Sequence, residues 1–220
     1  MTQQRDSTEM QTRWNEAFTQ KPDRFGVEAS TSAQLALSAL ANTRDSDVTL
    51  LDLGSGEGRD SLFFAQRGVK VVSLDFSEIA LDALTRKAQE LGVSSSVKTV
   101  QHNVREPLPF ADATFDACYS HMLYCMDFTV DELSRITNDI RRVLKPGGLQ
   151  TYTARTTQDP DFGLGTHRGE QLYEDEGFIV HFFDAAMVQR LSDGFRVLSV
   201  TEFEEGALPR RLFAVIQEKI

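Results

Sequence analysis

Cysteine, histidine and basic charge are all scarce here, and each scarcity excludes something. Only Cys118 and Cys125 occur among 220 residues, which rules out a disulfide-stapled scaffold, and their separation matches no zinc spacing. The four histidines, His102, His121, His167 and His181, form no His-x-x-x-His or Cys/His cluster, so no built-in metal site is expected. No apolar run approaches the length of a membrane span, about 18 residues. The start, Met1-Thr2-Gln3-Gln4-Arg5-Asp6, lacks the apolar core of a signal peptide, so a cytoplasmic protein with no membrane partner is expected. Acidic residues number 33 against 23 lysines and arginines, a net charge of −10. That balance opposes a long nucleic-acid groove and suits small or cationic ligands. There is no internal repeat or low-complexity tract. A 40% hydrophobic content over this length supports one sizeable core rather than two full domains.

What the chain does contain is a dense run, Leu50-Leu51-Asp52-Leu53-Gly54-Ser55-Gly56-Glu57-Gly58-Arg59-Asp60. An apolar stretch that reads as a buried strand meets three glycines at alternate positions, and a helical pattern, Ser61-Leu62-Phe63-Phe64-Ala65, follows at once. Glycines there allow positive φ and let a ligand lie against the backbone. The helix behind offers unpaired N–H groups to an anionic group. A second strand, Val69 to Leu74, ends in Asp75, about 20 residues past the loop, where a ribose-binding acid belongs. The lesser alternative for Asp75 is a helix N-terminal acid before Ser77.

Dinucleotide enzymes prefer Gly-x-Gly-x-x-Gly, whereas here the glycines alternate as Gly54-x-Gly56-x-Gly58. The run Asp52 to Gly58 resembles the first motif of the class I S-adenosylmethionine-dependent methyltransferases. The resemblance implies that Gly54, Ser55, Gly56 and Gly58 hold the methionine part of the cofactor, and that Asp75, with Phe76 beside it, holds the ribose. It also implies adenine recognition at His102-Asn103-Val104. There the family commonly has aspartate, and Asn103 can still accept the adenine amino group without charge assistance. As a plain loop residue Asn103 would cap a turn.

Further landmarks follow in family order. Helix two is N-capped by Ser77, carries Ile79, Ala80, Ala83, Leu84, Ala88 and Leu91, and stops at Gly92. A third strand spans Val97 to Val100. Pro107-Leu108-Pro109-Phe110 leads into a fourth strand, Phe115 to Ser120, which resembles the family's Pro-Phe-x-x-x-x-Phe-Asp signature. Asp116, at that strand's start, reads as structural. Chain order reverses beside strand one, and ligands of open α/β sheets bind at the carboxyl ends there. Ser120 is thereby assigned to the methionine side, and His121, Met122 and Tyr124 to the reacting methyl. Thr129-Val130-Asp131-Glu132 has capping-box spacing. Leu144-Lys145-Pro146-Gly147-Gly148 stops that helix before strand five, Leu149 to Thr153. From Ala154 to about Phe183 the chain loses regular alternation, and this long connection is the candidate acceptor site, with Arg155, His167, Arg168, Tyr173, His181 and Phe182 as its chemically capable members. A last helix from Asp184 to Ser192 precedes strands Phe195 to Glu202 and Leu212 to Gln217, joined by a turn at Glu205 to Pro209, so these two pair antiparallel.

The expected fold is α/β: a three-layer α/β/α, Rossmann-like, doubly wound seven-stranded sheet with an antiparallel C-terminal hairpin. Residues 1–46 form an N-terminal helical cap and 47–220 the S-adenosylmethionine-binding methyltransferase domain, with a substrate-site insertion at about 154–183. Trp14 and Phe25 in the cap either face the cofactor, where cation–π attraction adds about 1 kcal/mol, or simply pack a helix onto the core. The function expected is methyl transfer from S-adenosylmethionine to a small-molecule acceptor by in-line displacement. Tyr124, His121 or His181 could serve as base for a hydroxyl or amine, while a thiol or an oxyanion needs none. The cap, Asp159-Pro160-Asp161-Phe162-Gly163 and His181-Phe182-Phe183 resemble small-molecule methyltransferases, including the tellurite-resistance-like group. An oxyanion acceptor would rely on Arg155 and Arg168. A monomer or homodimer is expected. Two rival readings are an NAD-dependent oxidoreductase, opposed by the glycine spacing, and a cofactor-binding module without turnover.

Overall fold

A computed structural model describes residues 7–43, 47–175, 177–206 and 210–220. The chain divides into two compact units, one ending at Leu108 and the other running from Pro109 to Ile220.

In the first unit, helices α1 (Ser7–Gln20) and α2 (Thr31–Thr43) precede an alternation of β1 (Thr49–Leu53), α3 (Arg59–Ala65), β2 (Lys70–Asp75), α4 (Glu78–Glu90) and β3 (Val97–Gln101). The strands are parallel in the order β3-β2-β1, with Leu53 opposite Leu74 and Asp75 opposite Gln101. Leu50, Leu51 and Leu53 have no exposed surface, as a continuous apolar run requires of a parallel strand covered on both faces. Ser77 caps α4, its side chain accepting the Ala80 N–H at 3.2 Å. Leu84 on that helix packs with Leu62 and Ala88.

The second unit contains β4 (Phe115–Ser120), α5 (Val130–Val143), β5 (Leu144–Arg155), α6 (Ala185–Arg190), β9 (Phe195–Glu205) and β10 (Arg210–Lys219). Its strands run β4-β5-β10-β9, and β10 is antiparallel to both neighbours. The expected capping box is present: Glu132 N–H donates to Thr129 Oγ1 at 3.2 Å, and Thr129 N–H to Glu132 Oε2 at 2.8 Å. The two units' strands form a seven-stranded mixed sheet of Rossmann-like type.

Two segments differ from the sequence expectation. Strand five starts at Leu144 rather than Leu149, because the register against β4 jumps from Phe115 opposite Leu144 to Ala117 opposite Leu149. Lys145 to Gly148 bulge out of the ladder, which Pro146 could not join as a donor. A Cβ on Gly148 would lie 2.8 Å from the Lys145 carbonyl oxygen, so the bulge closes only with glycine there. The long connection after β5 is not irregular: β6 (Thr166–Gly169), β7 (Leu172–Asp175) and β8 (Phe178–His181) form a separate three-stranded antiparallel sheet. The β6–β7 turn places Glu170 and Gln171 at φ 50° and 67°, a conformation normally signalled by Asn-Gly. Without that signal the hairpin was illegible. Residues 207–209 of the expected final turn lie outside the described residues.

Candidate functional site

The glycine loop is fixed by its own backbone. Gly54 and Ser55 both donate their N–H to the Leu74 carbonyl, at 2.8 and 3.1 Å, and Gly58 N–H donates to the Ser55 carbonyl at 3.0 Å. Gly54, Gly56 and Gly58 take φ 75°, 52° and 80°. A Cβ on Gly58 would fall 2.1 Å from Leu84 Cδ1, inside the packed core, so glycine is required there. On Gly56 a Cβ would meet only the ring of Phe18, at 3.4 Å.

Asp75 joins this loop to the end of β2. Its Oδ2 accepts the Gly56 N–H at 2.8 Å and its Oδ1 the Ser77 N–H at 2.9 Å. Burial raises its carboxyl pKa, against which these two bonds pull downward. Ser55 Oγ is buried and has no hydrogen-bond partner among the described residues. A hydroxyl left so costs about 1–3 kcal/mol, which a polar ligand in the loop would recover. Beneath the loop, Ser61 Oγ donates to Asp52 Oδ2 at 2.5 Å and lies 2.7 Å from Ser73 Oγ. Burial pushes the Asp52 carboxyl up to about 7.

Beyond Asp75 a cavity of about 260 Å³ is lined by Gln11, Phe76, His102, Asn103 and Glu106, with Thr8 and Gln101. The fold thus brings Phe76 and Asn103 to one place. The Phe76 carbonyl accepts Gln11 Nε2 at 2.6 Å. Asn103 Oδ1 accepts the Arg105 N–H at 3.0 Å, so it caps its own turn, and a carboxamide oxygen has a second lone pair for a ligand donor. Val104 is half-buried in that turn.

Trp14 and Phe25 belong to an aromatic cluster completed by Phe18, with centroids 5.6 Å (Trp14–Phe18), 6.2 Å (Trp14–Phe25) and 6.4 Å (Phe18–Phe25) apart. Phe18 was not among the expected site residues, although its place four residues after Trp14 puts both rings on one helix face.

In the second unit Ser120 ends β4 fully buried. His121 Nδ1 lies 3.2 Å from Thr153 Oγ1, and its Nε2 3.7 Å from Glu205 Oε1. Tyr124 is not placed as a proton acceptor. Its hydroxyl accepts Gln150 Nε2 at 2.6 Å and lies 3.0 Å from Thr137 Oγ1, and its ring stacks on Tyr152 at 4.4 Å. Burial raises its pKa, which opposes the loss of its proton. His181 has no exposed surface. Its Nδ1 is 2.7 Å from the Phe128 carbonyl, which can only accept, so the proton sits on Nδ1 and Nε2 carries the lone pair. Nε2 is buried without a partner among the described residues, and burial lowers the imidazole pKa.

The two cations expected to serve an oxyanion are engaged otherwise. Arg155, 6% exposed, binds Asp159 through both Nε, at 3.1 Å, and Nη2, and binds Asp161 through Nη2 at 2.5 Å. Arg168 forks onto Glu174, Nε at 2.7 Å. Phe162, Tyr173 and Phe182 pack on one another with centroids 5.3 to 6.0 Å apart, and the Arg155 guanidinium lies 5.1 Å from the Phe182 ring centroid. Among the described residues no group of three or more His, Cys, Asp or Glu could hold a metal, and no helix is long and apolar enough to cross a membrane.

Residues 50–148 match the family model of the methyltransferase domain. The chain is 35% identical over 127 residues to a malonyl-[acyl-carrier protein] O-methyltransferase of Pseudescherichia vulneris, covering 56% of this chain and 44% of that relative. It is 31% identical over 116 residues to a sterol 4-C-methyltransferase of Caenorhabditis elegans, covering 52% and 34% respectively. The chain therefore spans less than half the length of these two curated relatives. In fold it is similar to the Burkholderia thailandensis 1,6-didemethyltoxoflavin-N1-methyltransferase, solved with S-adenosylhomocysteine, at TM-score 0.76 and 18% identity, covering 97% of this chain and 88% of that one. Residues 50–148 are thus similar to the methyltransferase-domain family, in keeping with the glycine loop's resemblance to the first motif of the class I S-adenosylmethionine-dependent methyltransferases.

Proposed function

We propose that the chain binds S-adenosylmethionine and transfers its methyl group to a small-molecule acceptor. The observation that carries this reading is the loop from Gly54 to Gly58, tied at Gly56 to the Asp75 carboxylate, with the buried Ser55 hydroxyl lacking a partner among the described residues. When bound, the cofactor supplies an electrophilic methyl on a sulfonium, whose thioether is a good leaving group. Gly54, Ser55, Gly56 and Gly58 would hold its amino-acid end, Asp75 and Phe76 its ribose, and Asn103 and Val104 its base. Ser120 is assigned to the methionine side, and the expected N-terminal cap, of which residues 1–6 and 44–46 lie outside the described residues, would act through Trp14, Phe18 and Phe25 at the glycine loop.

The rest of the work falls to positioning and the exclusion of water. Of the three candidate bases we favour His181, since its neutral tautomer leaves Nε2 ready to take a proton from a hydroxyl or amine. The acceptor is a neutral or basic molecule rather than an anion. Between positions 155 and 183 the sequence has six carboxylates against two guanidiniums, and both guanidiniums are already paired. Aromatic faces at Phe162, Tyr173 and Phe182 suit an apolar or cationic group.

Calorimetry with S-adenosylmethionine, its demethylated product and NAD tests the cofactor. Binding of the first two, lost in Asp75→Ala and Gly56→Val, is the expected result; binding of NAD alone overturns the reading in favour of a dehydrogenase. Methyl transfer to amines, hydroxyls and thiols, against none to carboxylates or inorganic oxyanions, is expected in an acceptor panel. Cofactor binding with no transfer to any of these would leave a module without turnover.

A further inference from the structure

Glu57, between the second and third glycines, has its carboxylate engaged by the N-terminal segment. Oε1 accepts the backbone N–H of Asp23 at 3.1 Å, and Oε2 that of Arg24 at 3.2 Å. Lys87 of α4 spans the same junction, its Nζ 2.6 Å from Asp23 Oδ1 and 3.5 Å from Glu57 Oε1. Only 9% of the Glu57 side chain is exposed, so these charge-assisted bonds are shielded from salt. The next two residues continue the seam. Arg59 Nη1 donates to the Phe25 carbonyl at 2.8 Å, and Asp60 accepts the Ser30 N–H and hydroxyl at 2.8 and 2.9 Å. The same turn that bears Gly56 and Gly58 therefore also bears the attachment points of residues 23–30.

The backbone conformation makes that sharing consequential. Gly56 and Gly58 flank Glu57 at φ 52° and 80°, so any ligand that settles the loop backbone also settles the Glu57 carboxylate. Across the seam, the segment's attachment governs the rings of Phe18, over Gly56, and of Trp14 and Phe25.

We propose that Glu57 is a positioning residue, a latch that couples docking of the N-terminal segment to occupation of the glycine loop. The inference rests on the cofactor reading above, and it adds that each of the two events strengthens the other by the same factor.

Two intrinsic reporters make this testable in the full chain. Trp14 is the sole tryptophan, and the Arg24-Phe25 bond is a trypsin site within the latched segment, whereas Lys21-Pro22 resists the enzyme. In Glu57→Ala, the dissociation constant for S-adenosylhomocysteine is expected to rise about tenfold. Cleavage after Arg24 in the ligand-free protein should accelerate by a similar factor, since proteolysis follows the open population, and Trp14 emission should shift to the red. Glu57→Gln, which keeps an acceptor oxygen, should recover part of each effect. Lys87→Met, off the loop, should move all three readouts in the same direction by about threefold, and it keeps the test decisive if Glu57→Ala does not fold. In the wild type, saturating S-adenosylhomocysteine should slow cleavage after Arg24.

Unchanged cleavage and affinity in Glu57→Ala overturn the latch while leaving the cofactor assignment intact. Faster cleavage with unchanged affinity overturns the coupling. A wild-type chain that binds neither S-adenosylmethionine nor S-adenosylhomocysteine overturns the cofactor reading, and the coupling with it.

Discussion

The glycine loop of the first unit and the β5–α6 connection of the second are held in shape by different means. In the loop the polar groups are mostly backbone N–H donors, and the geometry comes from glycines at positive φ. In the connection the polar groups are side-chain ions, Arg155 with Asp159 and Asp161, and the geometry comes from packed rings at Phe162, Tyr173 and Phe182. A backbone site presents the same donors whatever binds beside it, which suits an invariant cofactor. A site built from side chains changes character with each substitution, which would suit the acceptor site proposed for this connection.

The contrast can be broken most severely at Arg155. The Asp159 side chain has no exposed surface, so Arg155→Ala strands a buried carboxylate and should lower the unfolding free energy by about 3–5 kcal/mol, measured by denaturant titration. A loss under about 1 kcal/mol would mean that water reaches Asp159 and that the ion triad is not the connection's frame. The loop's counterpart is Gly58→Val. Positive φ adds about 1–2 kcal/mol and overpacking against Leu84 another 1–3 kcal/mol or so. At Gly169 in the connection φ is 96° but a Cβ would meet nothing within 4 Å. Gly169→Ala should therefore show the backbone strain alone, and equal losses at the two positions would erase the distinction.

Asp52 in the first unit and His181 in the second are both buried, and the two titrate with opposite sign. Asp52 ionises at about 7 when folded against an ordinary value of 3.8. Between those values the folded state holds the extra proton, so Asp52's contribution is fully present below about pH 4 and is lost as pH rises to 7, on the order of 3–4 kcal/mol in all. His181 has its pKa lowered by burial, so the unfolded chain takes up the proton first and stability falls as pH drops below the ordinary imidazole range. Asp52→Asn should flatten the loss on raising pH, and His181→Phe the loss on lowering it, in melting curves from pH 4 to 8. If Asp52→Asn leaves the slope unchanged, Asp52 is already ionised and held by Ser61.

The loop was legible in the sequence because its determinants are local. Strand, alternating glycines, helix and terminal acid lie within 26 consecutive positions from Leu50 to Asp75, and the Ser77 cap and the Thr129–Glu132 box are equally short-range. The connection was not, because its determinants are spatial. Arg155 looked like a spare cation until chain reversal brought Asp159 and Asp161 onto it. The β6–β7 hairpin turns on Glu170 and Gln171, two residues that do not announce positive φ. Phe18 was visible as a helix-face partner of Trp14, but nothing in the sequence indicates that its ring lies over Gly56, 38 positions away.

Tyr124 offers the mildest test, and it separates chemistry from packing. Its hydroxyl links Gln150 on β5 to Thr137 on α5, and Gln150 Oε1 in turn accepts Gln217 Nε2 at 2.9 Å. Tyr124→Phe removes one oxygen from that buried chain while keeping the ring stacked on Tyr152. Gln150 and Thr137 each lose a partner, so the unfolding free energy should fall by about 1–2 kcal/mol. A phenol held protonated in the core takes no part in moving a proton, so kcat and its pH profile should match the wild type. A kcat reduced by about tenfold or more, with the denaturation midpoint unmoved, would return Tyr124 to the reaction. The acceptor's proton would then leave through the β4–β5 side of the second unit rather than through His181.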